Sequence, residues 1–241
     1  MQDPLEQPAY RNVQMSGCLA MFLLLFLGCI LPFMLVDLAQ TALTNLHLDR
    51  STAVLVLLGI IFGSVINIPV SRFPLDQEVV VPVFQQFGSW PPLERYQRLR
   101  QECVVSVNVG GCVIPVLLAV KLASFIISGG QTAVLVAAVG IVLNSAICYQ
   151  MVRIVPRIGI ALPPFIPVLT ALVVTWVGLS GHPREFSAPV AFVIGITGPL
   201  IGADLLHWKD FKKIQAGSIS IGGAGTFDGI VLSGLLASLL A

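Results

Sequence analysis

Val104–Ser128 reads VVSVNVGGCVIPVLLAVKLASFIIS, twenty-five residues with one charged side chain, Lys121. About twenty apolar residues of helix cross the roughly 30 Å hydrocarbon core of a bilayer, so this run predicts a membrane span. Six further runs share its character: Gly17–Asp37, Thr52–Val70, Thr132–Val152, Ile160–Leu179, Ala188–Leu206 and Ser218–Ala241. The whole 241-residue chain agrees, being 56% apolar and 10% charged, with a mean hydropathy of +0.92. A soluble domain carries about 25% charged residues, and this chain has too few to cover a water-facing globule. The expected fold is therefore an all-α polytopic bundle of seven membrane helices, a single integral membrane domain over residues 1–241.

Other classes fail on the same figures. The 22 Gly and 16 Pro show no collagen-like period, and disorder needs a far more polar chain. The five cysteines form no C-x-x-C pair and read as small hydrophobes inside apolar runs. Thirteen Lys and Arg against twelve Asp and Glu give no basic face for nucleic acid, and the partner expected is the lipid bilayer. No cofactor and no metal site are implied. The first span is too long for a signal-peptide core, and its leading segment lacks a basic region. Apolar sequence continues past Cys29, which argues against a lipoprotein box at Phe26–Cys29.

Orientation follows from the cations. Ten of the thirteen Lys and Arg fall before span 1 or in the segments joining spans 2 and 3, 4 and 5, and 6 and 7. Arg50 and Arg184 fall on the opposite side, and Lys121 lies within span 3. The bias predicts a cytoplasmic N-terminus and an external C-terminus. The largest cytoplasmic segment is then residues 71–102. Glu78–Phe84 (EVVVPVF) suggests a short strand. Pro91-Pro92-Leu93-Glu94 suggests an amphipathic helix with a Glu94→Arg98 pair, running on into span 3.

Within hydrocarbon, polar and helix-breaking residues mark functional hypotheses. Asn67-Ile68-Pro69, Asn108 to Pro115, Asn144, Pro163 to Pro167, Asp204 and Asp228 all fall in the inner half of the bilayer under this orientation. Counting about 1.5 Å per residue from the outer ends of spans 6 and 7 puts both aspartates roughly 10 Å from the cytoplasmic boundary. Four glycines (Gly222, Gly223, Gly225, Gly229) crowd around Asp228, and Gly198-Pro199 and Gly202 precede Asp204. Loosened helices beside buried acids suit a water-filled cleft.

Two adjacent carboxyls share a proton, so one can activate water while the other polarises a carbonyl. Here the chain resembles the intramembrane aspartyl proteases of the presenilin and signal-peptide-peptidase type. Those carry one aspartate on each of two consecutive helices, a Gly-x-Gly-Asp motif and a Pro-Ala-Leu. In this sequence Gly223-Ala224-Gly225 is separated from Asp228 by Thr226-Phe227, and Ala161-Leu162-Pro163 has the wrong order and precedes both acids. The resemblance implies Asp204 and Asp228 as catalytic residues acting on a transmembrane peptide. On that reading Pro163 and Pro164 position an unwound substrate, and Gly223 and Gly225 give it access. Over its length the chain also resembles an uncharacterised multi-pass family of bacteria and archaea, through Asn67-Ile68-Pro69, Asn108 to Pro115, Gly202 to His207 and Gly222 to Gly229. That likeness implies the prokaryotic inner membrane and lends no activity.

Other readings stay open. Broken helices with Asn67, Asn108, Gly110 and Gly111 as small-solute contacts, and Asp228 binding a proton or ion, suit a coupled transporter. Asp204, His207 and Asp228 would supply three metal ligands, although His207 beside Trp208 and Lys209 also reads as an interfacial residue. Gly178-Leu179-Ser180-Gly181 matches the rhomboid serine pattern, at the wrong end of span 5. Asp204 also reads as a helix-end residue near Lys209, Lys212 and Lys213. The asparagines also read as interhelical glue in a non-catalytic scaffold or assembly factor.

Overall fold

The computed structural model describes residues 9–83, 95–155, 159–214, 217–223 and 229–241. Four of its helices are long and apolar enough to cross a membrane: Leu24–Thr44, Val109–Ser128, Gly130–Met151 and Arg184–Leu205. Three shorter apolar helices join them, Arg50–Gly63, Phe165–Gly178 and Gly229–Leu240, of 14, 14 and 12 residues. At 1.5 Å per residue these reach only about 18–21 Å, short of a bilayer core.

In chain order the elements are α1 (Ala9–Thr44), α2 (Arg50–Gly63), β1 (Asn67–Val83), β2 (Arg95–Asn108), α3 (Ile114–Ser128) and α4 (Gly130–Met151). Then come β3 (Arg153–Val155), β4 (Gly159–Ala161), α5 (Phe165–Gly178), α6 (Ser187–Thr197), α7 (Phe211–Ile214), β5 (Ser218–Ile221) and α8 (Gly229–Leu240). A π-helical turn, Val109–Val113, leads into α3, and a longer one, Gly198–Leu205, extends α6. The strands correct the all-α expectation. β1 and β2 form an antiparallel hairpin, and β5 adds to β2 in parallel, giving the order β1-β2-β5. β3 and β4 form a separate two-stranded hairpin.

Residues 95–102, expected as helix, belong to β2, and span 3 begins as helix only at Val109. The cause is visible in β2 itself. Cys103 and Val105 alternate on one face and are both fully buried, while Glu102 on the other face is exposed. That period of two fits a half-buried strand. The strand at Glu78–Val83 exists but is the far end of the longer β1, and Phe84 and Pro91–Glu94 lie outside the described residues. β1 carries Pro69, Pro74 and Pro82. Proline cannot donate to a ladder, so it is confined to edges and bulges. β1 is an edge strand, with irregularities between Pro69 and Ser71 and between Pro74 and Glu78. Arg72 and Glu102 approach to 4.0 Å across the hairpin, both well exposed, which contributes little. Ser218–Ile221, expected as the start of span 7, is β5.

Two apolar cores result. α6 runs through the middle of the bundle with Ala188–Ile196 buried throughout, as expected of a helix that is apolar on every side. It packs on α3, α4, α5 and α8, and Gly140 and Gly234 leave room for the side chains of Ile194 and Ile196. Among the residues of α1 whose burial is described, those of its last turns, Ala39, Ala42 and Leu43, join this core, whereas Leu24 and Phe33 face outward. The second core lies at the sheet end and joins Val105, Cys112, Phe211, Ile214 and Ile221. Cys112 and Ile221 come from the runs expected as spans 3 and 7, so the strands are fused to the bundle.

Phe211 is fully buried there. Phe211→Ala is expected to cost about 3–5 kcal/mol of sheet-end stability. Limited proteolysis should cut the β1–β2 hairpin sooner while helical circular dichroism is retained.

At the opposite end Asp49 caps α2, accepting from Thr52 N–H at 3.1 Å, Thr52 Oγ1 at 2.6 Å and the Ser51 hydroxyl. Those hydroxyl and N–H donors hold its carboxyl well below the usual carboxylate range, the Ser51 hydroxyl most strongly. A depressed folded pKa contributes stability above the unfolded value of about 3.9 and loses it as pH falls through the folded one. The difference in melting temperature between wild type and Asp49→Ala should therefore be constant above pH 5 and shrink toward pH 2.

Candidate functional site

The sequence-predicted residues fall into three groups. In the first, α2 stops at Gly63, and the chain turns through Val65 and Ile66 into β1. Asn67 then stands opposite Asn108, the last residue of β2. The Asn108 amide nitrogen donates to Ser64 O at 2.6 Å and to Asn67 Oδ1 at 3.1 Å. Its oxygen accepts from Gly111 N–H at 2.7 Å, capping the helix that begins at Val109. Asn67 Oδ1 also accepts from Ser220 Oγ of β5 at 2.5 Å. Asn108 is buried and Asn67 exposed.

The glycines around this knot are filled by backbone. A Cβ on Gly110 would collide with Ile60 O and Ser64 N, and one on Gly111 with Gly222 O. Gly222 itself has φ +70°, a left-handed conformation that favours glycine. Gly223 donates its N–H to Ser220 O at 3.2 Å and is crowded by the Ser220 side chain. Thus Asn67, Asn108, Gly110, Gly111 and Gly223 come together where α2, β2, α3 and β5 meet. Gly225 lies outside the described residues.

The second group surrounds Asp204, which is half-buried in the π-helical stretch Gly198–Leu205. Pro199 has no N–H to offer the Gly195 carbonyl one turn back. Ser233 of α8 supplies the missing donor, its Oγ reaching Gly195 O at 2.7 Å. Asn144 of α4, fully buried, donates to Ile194 O at 2.9 Å and to Pro167 O at 3.2 Å, tying α4, α5 and α6 together. Gly198 and Gly202 press this stretch against Asn144 and Ser145.

His207 follows and is buried. Its Nδ1 stands 3.1 Å from both Gly202 O and Ala203 O, so Nδ1 bears the proton and donates. The ring stacks on Tyr149 with centroids 4.6 Å apart. The imidazole thus satisfies the two carbonyls that immediately precede Asp204. Among the described residues no three His, Cys, Asp or Glu side chains gather as a metal site. Asp228 lies outside the described residues.

Asp204's helix and α8 are antiparallel. Ser187 shares a cavity with Ala241, and Gly195 faces Ser233 and Gly234. Continuing that register sets Gly229, the first residue of α8, level with Pro199 and Leu200, about one helical turn from Asp204.

In the third group Pro163 and Pro164 are exposed at the start of α5. Pro164 occupies the N-cap position, and Pro163 O accepts from Ile166 N–H at 3.3 Å. Elsewhere, Ser180 donates to Val177 O and His182 Nε2 to Gly129 O, so these two form no serine–histidine pair.

A family model described as "Protein of unknown function (DUF1614)" matches residues 61–240. The chain belongs to the DUF1614 family. The match begins within α2 and takes in the asparagine knot, the π-helical stretch and α8. No curated protein and no solved structure matches this DUF1614 chain. Ser233 and the packing role of His207 were not singled out from sequence. The signal for Ser233 was the combination of an in-helix proline with a hydroxyl on the next apolar helix.

Asn108→Ala should leave Ser64 O and Gly111 N–H without their partner, costing about 1–3 kcal/mol for each buried group orphaned. Gly111→Ala should be at least as damaging, because backbone fills the space. Thermal unfolding in detergent checks both, with Asn67→Ala, at an exposed residue, expected to be the mildest.

Proposed function

We propose that this DUF1614 protein is a multi-pass protein of a prokaryotic inner membrane, with its sheet end and N-terminus cytoplasmic. We further propose that Asp204 and Asp228 form a dyad that hydrolyses peptide bonds of transmembrane segments. The observation carrying this reading is the antiparallel packing of α6, which runs on into Asp204's π-helical stretch, against α8, which starts one residue after Asp228. Orientation is supported by Arg72, Arg153 and Lys209, which sit at the sheet end while Arg50 and Arg184 sit at the other. A π-helical stretch is a frequent mark of a functional site.

In this mechanism the ionised carboxylate takes a proton from water as the water oxygen attacks the scissile carbonyl. The protonated partner donates a hydrogen bond to the carbonyl oxygen. Proton transfer to the amide nitrogen then lets the C–N bond break. The exposed Pro163–Pro164 entrance to α5 would position the unwound strand.

In proteoliposomes carrying a reporter helix, Asp204→Asn and Asp228→Asn should each lower cleavage by at least about a hundredfold. Cleavage that survives Asp204→Asn overturns the dyad. A transporter, favoured by the short α2, α5 and α8 helices, would instead show ion-dependent uptake with one aspartate dominant. Unchanged behaviour in both variants would leave a scaffold.

A further inference from the structure

At the end of the bundle away from the sheets, a cavity of about 300 Å³ opens between the last turn of α5, the loop after it and the start of α6. Its lining includes Thr175, Trp176, Ser180, His182, Arg184 and Ser187. Thr175 is fully buried, and its hydroxyl has no hydrogen-bond partner. A buried hydroxyl without a partner costs about 1–3 kcal/mol, which a bound acceptor would relieve. The Ser187 hydroxyl and the Arg184 guanidinium likewise engage no partner among the described residues. Neither the 3₁₀ turn Arg184–Phe186 nor α6 has a side-chain cap, and α6 has no acidic residue in its own first turn; Glu185 stands in the preceding 3₁₀ turn and does not line the cavity.

With Ser180 and His182 Nε2 already engaged by Val177 O and Gly129 O, the donors left to the cavity are the Thr175 and Ser187 hydroxyls and the Arg184 guanidinium, beside a helix N-terminus. The cavity's complement is an anion with several acceptor oxygens. Phe165, Leu169, Val173 and Trp176 form an exposed apolar strip along α5 that ends at the cavity mouth, and tryptophan is a residue enriched where headgroups meet hydrocarbon. We infer that this cavity binds a phosphate group, supplied by a phospholipid whose acyl chain lies along that strip.

Native mass spectrometry of the full chain, released from detergent with an added anionic phospholipid, tests this. Wild type should retain one phospholipid, and Thr175→Val and Arg184→Gln should each weaken retention about tenfold. Thr175→Val keeps the side-chain shape, and Ser187→Ala serves if either variant fails to fold. A second arm uses inorganic phosphate alone. A rise in melting temperature with phosphate, lost in the same variants and without retained lipid, supports the phosphate site and overturns the lipid as its source. Equal retention in all variants, together with no response to phosphate, overturns the site.

Discussion

The Asn108 side chain is the point on which the architecture turns. A buried carboxamide has two donors and an acceptor to satisfy, and here each is used on a different element: the end of α2, the start of β1 and the first turn leading to α3. Water offers no alternative at a buried position, so the amide fixes all three relative to one another. Gly110 and Gly111 matter for the same reason. They let α2 and the Gly222 turn approach to backbone contact, closing the space in which the amide would otherwise be hydrated.

From that knot the rest of the molecule extends in two directions. One way lie the helices, organised around α6, whose buried sequence offers no polar face. The other way lie the strands, which use the second core of Val105, Phe211 and Ile221. The π-helical stretch that carries Asp204 lies between the two. It is stabilised by exchange of backbone partners: proline removes a donor, Ser233 restores it, and His207 caps the carbonyls at the other end. The backbone that carries this carboxyl is thus fixed by side chains of α4 and α8 and by His207.

Much of the bundle was legible in the residues because hydrocarbon thickness sets a length that apolar runs reveal directly. The clustering of Asn67, Asn108 and their neighbouring glycines was legible as an anomaly, and the structure does bring these residues together. Their distant partners were not legible, since pairing across 41 to 153 residues leaves no local trace. β2 illustrates the limit. Arg95–Asn108 alternates as a strand, but Pro91-Pro92 and the Glu94–Arg98 spacing imitate a helix start, and the apolar residues merge into the following helix. Ser218–Ile221 was hidden in the same way, because four apolar and hydroxyl residues before a glycine run look like the edge of a span. Whether strand or helix wins there depends on β2 being available as a partner, which is a property of the tertiary structure.

The parallel pairing of β5 with β2 has a consequence for how the chain is made. β2 is synthesised more than a hundred residues before the strand that completes its sheet. Until β5 emerges, Val104–Val107 presents an unfilled ladder edge beside the apolar helix α3. Local hairpins can close early, but this long-range closure comes late because the intervening loop must first be ordered. The nascent protein therefore passes through a stage in which the preceding helices are complete and the strand edge is bare. A chaperone or a premature intermolecular pairing could act at that stage, and it ends only when one of the last segments of the sequence is in place.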